Sequence, residues 1–124
     1  MRILVVDDDP LTVELLKKVL EENGHSVITG ESGYKALCLL EESHFDFVIC
    51  DVFMPEISGL IVANVLRQYD HTVPLLLMSS DKNVGTFIRQ RFNPACDFID
   101  KPVSFPLLIS KINEQIKGQT AVVN

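Results

Sequence analysis

Four short apolar runs in this chain each lead to a polar or charged residue, and this pattern constrains the fold more than any other feature. Asp7 and Asp8 follow the first run, and Asp51 follows the second. Ser79 ends the third run, and Lys101 follows the fourth. In a parallel α/β sheet the carboxyl ends of the strands meet at one edge, where such folds place their sites. A group of carboxylates, a hydroxyl and an ammonium at that edge suits a divalent cation and a phosphoryl group.

Strand-like and helix-like segments alternate five times along the chain. In the first helical segment, Asp9 suits the N-cap, Pro10 the first turn and Gly24 the end. The apolar residues of this segment form a stripe with helical period, made up of Leu11, Leu15, Leu16, Val19 and Leu20. Continuous apolar strands are typical of sheets covered by helices on both faces. The sequence therefore predicts an α/β fold, a single (βα)5 domain with a parallel five-stranded sheet. Strands are expected at about 2–6, 26–29, 46–50, 75–79 and 96–99, and the later helices at about 33–42, 58–69, 82–92 and 105–117.

Length, charge and cysteine content narrow the class of protein. The chain has 124 residues, enough for one domain, and a net charge of −6, which disfavours binding to nucleic acid or to an anionic membrane. No run reaches the roughly 20 apolar residues of a membrane span, and Met1-Arg2-Ile3 lacks the charged and apolar regions of a signal peptide, so we expect neither feature. Cys38, Cys50 and Cys96 form no CxxC pair, so we expect reduced thiols in a cytoplasmic protein.

Four motifs together resemble the receiver domain of bacterial response regulators. In chain order they read ILVVDDDP, DVFMPEISG, PLLLMSS and DFIDKP. The resemblance covers nearly the whole chain and implies a flavodoxin-like fold with strand order 2-1-3-4-5. We expect residues 1–118 to form this receiver domain and residues 119–124 to be a tail or the start of a linker.

The resemblance also implies a role for each residue at the predicted edge. Asp51 matches the aspartate that accepts a phosphoryl group, and Lys101 matches the lysine that pairs with that group. Asp7, Asp8 and Asp51 match the residues that hold Mg²⁺, with Asp8 the more direct ligand of the first two and the backbone carbonyl of Phe53 as a further ligand. The phosphodonor would be a sensor histidine kinase or a phosphotransfer protein.

Two further residues match the parts of the family that respond to phosphorylation. Ser79 matches the switch hydroxyl, and Phe98 matches an aromatic that turns inward on activation. From the residues alone, an ordinary core aromatic is the favoured interpretation of Phe98. The Lys101–Pro102 bond resembles one that is cis in the family. Activation would then change the surface of helix 4, strand 5 and helix 5, which contacts a downstream effector.

Elementary electrostatics supports a cation site independently of the resemblance. Two unit charges 4 Å apart interact by roughly 4 kcal/mol at an effective dielectric constant of 20. Asp7, Asp8 and Asp51 therefore cannot all ionise with only Lys101 nearby, so either one carboxyl keeps its proton or a cation binds. A small set of oxygen ligands beside a phosphoryl group favours Mg²⁺.

The predicted output face carries charges of its own. Arg89 and Arg91 lie on helix 4 and form a basic patch too small for a DNA binder. Asp97 and Asp100 are candidate partners for these arginines across a two-fold axis. We therefore expect a phosphorylation-dependent homodimer or an effector contact, and no direct nucleic-acid binding.

Three other functions fit the sequence less well. A phosphatase of the haloacid-dehalogenase type needs a second aspartate two positions after its nucleophile, where this chain has Phe53. A degenerate receiver that only binds proteins would not need Asp8, Asp51 and Lys101 together. A nucleotide-binding α/β protein is disfavoured because no glycine-rich phosphate motif follows the first strand.

Overall fold

Three stretches of the chain, residues 1–70, 72–92 and 96–123, are described by this structure, a computed structural model. Side chains are described throughout these stretches except at 89–92 and 119–123. Five strands and five helices alternate, as the sequence predicts. The strands are β1 (Arg2–Val6), β2 (Ser26–Gly30), β3 (Phe47–Asp51), β4 (Leu75–Ser79) and β5 (Cys96–Asp100). The helices are α1 (Pro10–Glu22), α2 (Gly33–Glu42), α3 (Gly59–Tyr69), α4 (Lys82–Phe92) and α5 (Phe105–Val123).

The strands form one parallel sheet in the order β2-β1-β3-β4-β5, which confirms the flavodoxin-like topology. Strand β1 pairs with β2 on one side and with β3 on the other. The chain therefore leaves β1 toward one edge of the sheet and leaves β3 toward the other edge. In such sheets a crevice opens beyond the carboxyl ends of the strands at this reversal of order. The loops after β1 and β3 therefore frame the natural position for a site.

Helices cover both faces of the sheet, and each face has its own hydrophobic core. Alternate strand residues such as Leu4, Val48 and Leu77 pack with buried residues of α2, α3 and α4. Their neighbours, such as Ile49 and Met78, pack with buried residues of α1 and α5. Burial on both faces explains why these strands are continuously apolar. None of the helices in the described part of the chain is long and apolar enough to cross a membrane.

Side-chain caps fix where three helices begin. Asp9 Oδ1 accepts a hydrogen bond from the Leu11 N–H at 3.1 Å, and Ser32 Oγ accepts one from the Lys35 N–H at 3.0 Å. Ser58 caps α3 in the same way. Each cap contributes about 1 kcal/mol and satisfies a donor that the helix cannot. The structure thus confirms the predicted capping role of Asp9.

One expectation about the helices holds only in part, and another is wrong. Of the stripe predicted on α1, Leu16 and Leu20 are buried, but Leu11 is 62% exposed and Leu15 is 44% exposed, and Val13 is buried as well. The fifth helix does not stop at 117, because it continues through Gly118 to Val123. A glycine inside a helix costs only about 1 kcal/mol relative to alanine and does not always end it.

The last residue of α5 does not by itself mark the end of the folded domain. Among the side chains of α5 that are described, Ile112 is the last buried one, and residues 113–118 are exposed. We therefore keep 1–118 as the proposed receiver domain and 119–124 as the proposed tail or linker.

Candidate functional site

Three carboxylates meet at the carboxyl edge of the sheet. Asp7 and Asp8 directly follow β1, and Asp51 is the last residue of β3, one residue later than expected for that strand. Asp7 is fully buried, Asp51 is 5% exposed, and Asp8 faces solvent. One carboxylate oxygen from each lies within 4.8 Å of the others. This spacing allows a single cation to contact all three, as the sequence pattern predicts.

Lys101 brings a positive charge to the same cluster. Its Nζ lies 2.6 Å from Asp7 Oδ2 and 3.3 Å from Asp51 Oδ1. The lysine is aimed there because its backbone N–H donates to the carbonyl of Ser79 at 3.0 Å, which ties the ends of β4 and β5 together. Burial alone lowers the pKa of Lys101, but its contacts with Asp7 and Asp51 outweigh burial and raise the pKa overall. Lys101 is therefore a fixed cation between two carboxylates.

The hydrogen bonding of Asp7 bears directly on whether a metal ion fits. Asp7 Oδ1 accepts a hydrogen bond from the Asp9 N–H at 3.0 Å. Asp7 Oδ2 is buried and accepts no well-directed hydrogen bond in the described part of the chain, although the Lys101 ammonium lies beside it as an ion-pair partner. A buried carboxylate oxygen normally has its acceptor capacity satisfied. The oxygen-only cluster and this under-satisfied atom fit a hard divalent cation.

The surroundings of Asp51 perturb its protonation. Burial is the main cause, and the charge of Asp7 adds to it, so that the pKa of Asp51 is raised to about 6 although Lys101 pulls it down. This agrees with the expectation that the three carboxylates resist simultaneous ionisation. A cation that neutralised the cluster would favour the ionised form.

The raised pKa of Asp51 predicts a pH dependence of stability in the metal-free protein. Since the folded value of about 6 exceeds the ordinary 3.8, the native state binds more protons between these values, and stability falls as pH rises through them. Between pH 5 and pH 7 the loss should be about 1 kcal/mol. His25 acts in the opposite direction, because burial lowers its pKa.

The measurement is the Tm of Asp51→Asn minus the Tm of the wild type, taken at pH 5 and again at pH 7. This difference should be smaller at pH 5 by roughly 4 °C. His25 cancels in this difference because both proteins carry it. A gain that does not change with pH would mean that Asp51 is fully ionised throughout this range.

The backbone beneath Asp51 is held by a close approach of α3. A Cβ atom on Gly59 would overlap the carbonyl oxygen of Asp51. The Gly59 N–H also donates to the Val52 carbonyl at 2.8 Å, and the Val52 N–H donates to the Met78 carbonyl at 2.9 Å. Gly59 therefore helps to position Asp51. Gly59 was not predicted from the sequence, where its only signal is a glycine at the first position after a helix cap.

Ser79 lies at the edge with its hydroxyl turned toward α4. It is almost fully buried, and its Oγ accepts a hydrogen bond from the Asp81 N–H at 3.0 Å. Asp81 Oδ1 in turn accepts one from the Asn83 N–H at 3.0 Å, at the start of α4. The Ser79 hydroxyl is thus connected to the first turn of α4. This part played by Asp81 was not predicted from the sequence.

The remaining predicted residues take different positions. The Phe53 side chain is 58% exposed, so it fits a role through its backbone alone. Phe98 is 5% exposed and already faces inward, in the position that the resemblance assigns to the activated state. The Lys101–Pro102 bond is cis, as expected.

One charged pair occupies the surface that was predicted to form contacts between copies. Asp97 Oδ2 binds Lys111 Nζ at 2.6 Å within the same chain. Asp97 therefore already has a partner and is a weaker candidate than Asp100 for pairing across a two-fold axis. The side chains of Arg89 and Arg91 lie outside the described residues.

A family model for the response regulator receiver domain matches residues 3–113. Response regulator MprA of Mycolicibacterium vanbaalenii is 32% identical over 120 residues, which cover 97% of this chain and 52% of MprA. The transcriptional regulatory protein ZraR of Salmonella typhimurium is 34% identical over 106 residues, which cover 86% of this chain and 24% of ZraR. The chain thus spans about half the length of MprA and about a quarter of ZraR.

A solved structure gives the same result. Response regulator TrrA of Thermotoga maritima, crystallised in complex with Mg²⁺ and BeF, superposes with a TM-score of 0.83 and is 33% identical, covering 92% of this chain and 97% of TrrA. The fold, the motifs and these comparisons agree. The chain belongs to the response regulator receiver domain family, the phosphoacceptor domains of two-component signalling.

Proposed function

We propose that this chain is switched by phosphorylation of Asp51, with the phosphoryl group coming from a phosphohistidine on a sensor kinase or a phosphotransfer protein. One observation carries the proposal: Asp51 is a buried carboxylate at a strand end, 3.3 Å from the Lys101 ammonium and clustered with Asp7 and Asp8. A buried carboxylate beside a cation and further acidic ligands is suited to attack phosphorus and to hold the product.

Mg²⁺ is the proposed cofactor, and Asp7, Asp8 and Asp51 would hold it with the backbone carbonyl of Phe53. The under-satisfied Oδ2 of Asp7 and the mutual distances of the carboxylates support this set. When bound, the ion would neutralise the acidic cluster and the negative charge on the phosphoryl oxygens. Asp8 is the most accessible of the three acids and would meet the arriving cation first.

The transfer itself involves one bond made and one bond broken. A carboxylate oxygen of Asp51 attacks phosphorus as the bond from phosphorus to the imidazole nitrogen of the phosphohistidine breaks. The electron pair of that bond stays on the imidazole, and the product is an acyl phosphate on Asp51. Lys101 would stabilise the phosphoryl oxygens from its present position, because its ammonium already lies beside Asp51.

The Ser79 hydroxyl would couple this site to α4. Its oxygen now accepts from the Asp81 N–H, which leaves its own proton available to donate to a phosphoryl oxygen. A turn of the side chain toward the phosphoryl group would release the Asp81 N–H and alter the first turn of α4. The proposed output is therefore a shift between two packings near α4, β5 and α5.

An apolar cavity beside the acid cluster supports docking of the phosphodonor protein. It measures about 380 Å³, and its lining includes Leu15, Val103, Phe105 and Lys101. Exposed Leu11 lies on the same helix as Leu15. An exposed leucine that shares a cavity with Lys101 is suited to an apolar protein surface, which would exclude water during transfer.

The output partner is proposed to be an effector domain or protein, or a second copy of the chain after phosphorylation. The names of MprA and ZraR describe a response regulator and a transcriptional regulatory protein, each longer than this chain. We propose that this chain itself does not bind DNA, because its net charge is −6. Its three cysteines are free, which is consistent with a cytoplasmic location.

The test uses acetyl phosphate as the phosphodonor. With Mg²⁺, the peptide that contains Asp51 should gain one phosphoryl group, and a chelator should prevent the gain. Lys101→Gln should slow the reaction by roughly 100-fold, because it removes a charge that acts on the transferring group. Lys111→Gln is the matched control, since Lys111 makes an equally short ion pair with Asp97. Equal rates for both variants would contradict the role of Lys101.

A further inference from the structure

Gly85 of α4 lies directly against the ring of Phe98. A Cβ atom on Gly85 would be 2.8 Å from Cδ1 and 3.0 Å from Cε1 of that ring. Carbon atoms that are not bonded pack at about 3.5 to 4.0 Å, so alanine does not fit here unless the ring or the helix moves. Gly85 therefore forms a hole on the helix surface, and the Phe98 ring fills it.

The glycine has no other evident reason to be at this position. Its φ is not in the left-handed region, so the backbone does not require glycine there. In the interior of a helix, glycine is also less favourable than alanine by about 1 kcal/mol, and only proline is worse. The benefit that offsets this disadvantage is the close contact with Phe98.

The surroundings of Phe98 also favour the inward position. The ring belongs to the core cluster that includes Ile88 of α4 and Leu77 of β4, and Leu77 is the direct neighbour of Phe98 in the sheet. The backbone N–H of Phe98 donates to Asp97 Oδ1 at 2.7 Å, and Asp97 binds Lys111 of α5. The ring is thus enclosed by α4 and β4, on a strand that is tied to α5.

We propose that Gly85 holds Phe98 inward whether or not Asp51 is phosphorylated, so that Phe98 does not act as a two-position switch in this chain. The consequence for signalling rests on the function proposed above. The part of the site that remains able to respond is the contact from Ser79 to Asp81 at the start of α4. Gly85 is accordingly a positioning residue for the output surface.

Thermal unfolding of the metal-free protein tests the contact without relying on any signalling function. Gly85→Ala should lower Tm in the wild type, because the new methyl group overlaps the enclosed ring. In a Phe98→Val background, which lacks the two crowded ring carbons, the same change should raise Tm by roughly 4 °C, through helix propensity alone. Gly118→Ala is the matched control, because no atom lies within 4 Å of its Cβ position, and it should raise Tm in both backgrounds.

The sign of the Gly85→Ala effect decides the matter. A higher Tm in both backgrounds would mean that the ring leaves its site easily, and a lower Tm in both would mean that the methyl group overlaps something other than the ring. Either result would overturn the proposal.

A second measurement follows the ring directly and needs no destabilised variant. 4-Fluorophenylalanine placed at position 98 should give a ¹⁹F resonance without an H₂O/D₂O isotope shift, both before and after Mg²⁺ and beryllofluoride are added. An isotope shift that is present before the addition and lost after it would identify a rotating ring and overturn the proposal. If beryllofluoride moves no amide resonance near Asp51, the proposed function fails, and the Tm series alone then decides whether Gly85 holds the ring.

Discussion

Replacing Asp51 with asparagine is expected to reduce phosphorylation of this chain from nearly complete to background. The amide oxygen is a poor nucleophile and carries no charge, whereas the structure offers one buried carboxylate at the end of β3 beside Lys101. The measurement is intact mass after treatment with acetyl phosphate and Mg²⁺, followed by peptide mapping.

Asp46→Asn is the matched control for this experiment. Asp46 comes just before β3, at the opposite end of the strand, and accepts a hydrogen bond from the Arg2 N–H that asparagine can also accept. It should be phosphorylated like the wild type. Substantial modification of Asp51→Asn, for example on Asp8 or Ser79, would show that the phosphoacceptor has been assigned to the wrong residue.

Much of the fold could be predicted because local signals and the overall architecture agree. The apolar runs that become β1 and β4 are buried on both faces, and their composition indicates this directly. Asp9, Ser32 and Ser58 begin helices through hydrogen bonds that span only two or three residues, so sequence spacing is enough to find them. The edge of the sheet followed from the strand ends, because parallel strands bring those ends together.

What the sequence could not predict depends on contacts between elements that are distant along the chain. Gly59 and Gly85 are required by the approach of a carbonyl oxygen and of a ring, and no local pattern reports either contact. Leu11 and Leu15 belong to the predicted stripe, yet α1 faces the sheet through Val13, Leu16 and Leu20. Leu15 lines the same cavity as Lys101, and its exposure has a functional meaning only when the site is known.

The same contrast applies to Phe98. Family resemblance predicted a ring that moves, and hydrophobicity alone predicted a ring that stays in the core. The structure places it in the core, against a glycine that makes the room. The two predictions differ in whether the Phe98 ring moves on activation, and its inward position in this structure is compatible with both. The close contact between Gly85 of α4 and the ring is what favours a ring that stays in the core.

Asp8→Ala is expected to remove the stabilisation that Mg²⁺ gives to the wild type. At a Mg²⁺ concentration of roughly 100 times Kd, a ligand that binds only the native state contributes about 3 kcal/mol, or roughly 10 °C in Tm. Asp8 is the exposed member of the three-carboxylate cluster, so its loss leaves two buried acids that Lys101 already neutralises in part. Without Mg²⁺ the variant should melt above the wild type, because the charge of Asp8 is one of the causes that raise the pKa of Asp51.

Asp9→Asn separates the metal site from general electrostatics. Asp9 is the next residue, also exposed and acidic, but its carboxylate caps α1, and asparagine caps a helix equally well. This variant loses the same charge from the same surface as Asp8→Ala and should keep the full Mg²⁺-induced rise in Tm. If both variants lose it, Mg²⁺ acts by screening the acidic edge as a whole. If neither loses it, Mg²⁺ stabilises the protein without Asp8, and Asp8 is not one of its ligands.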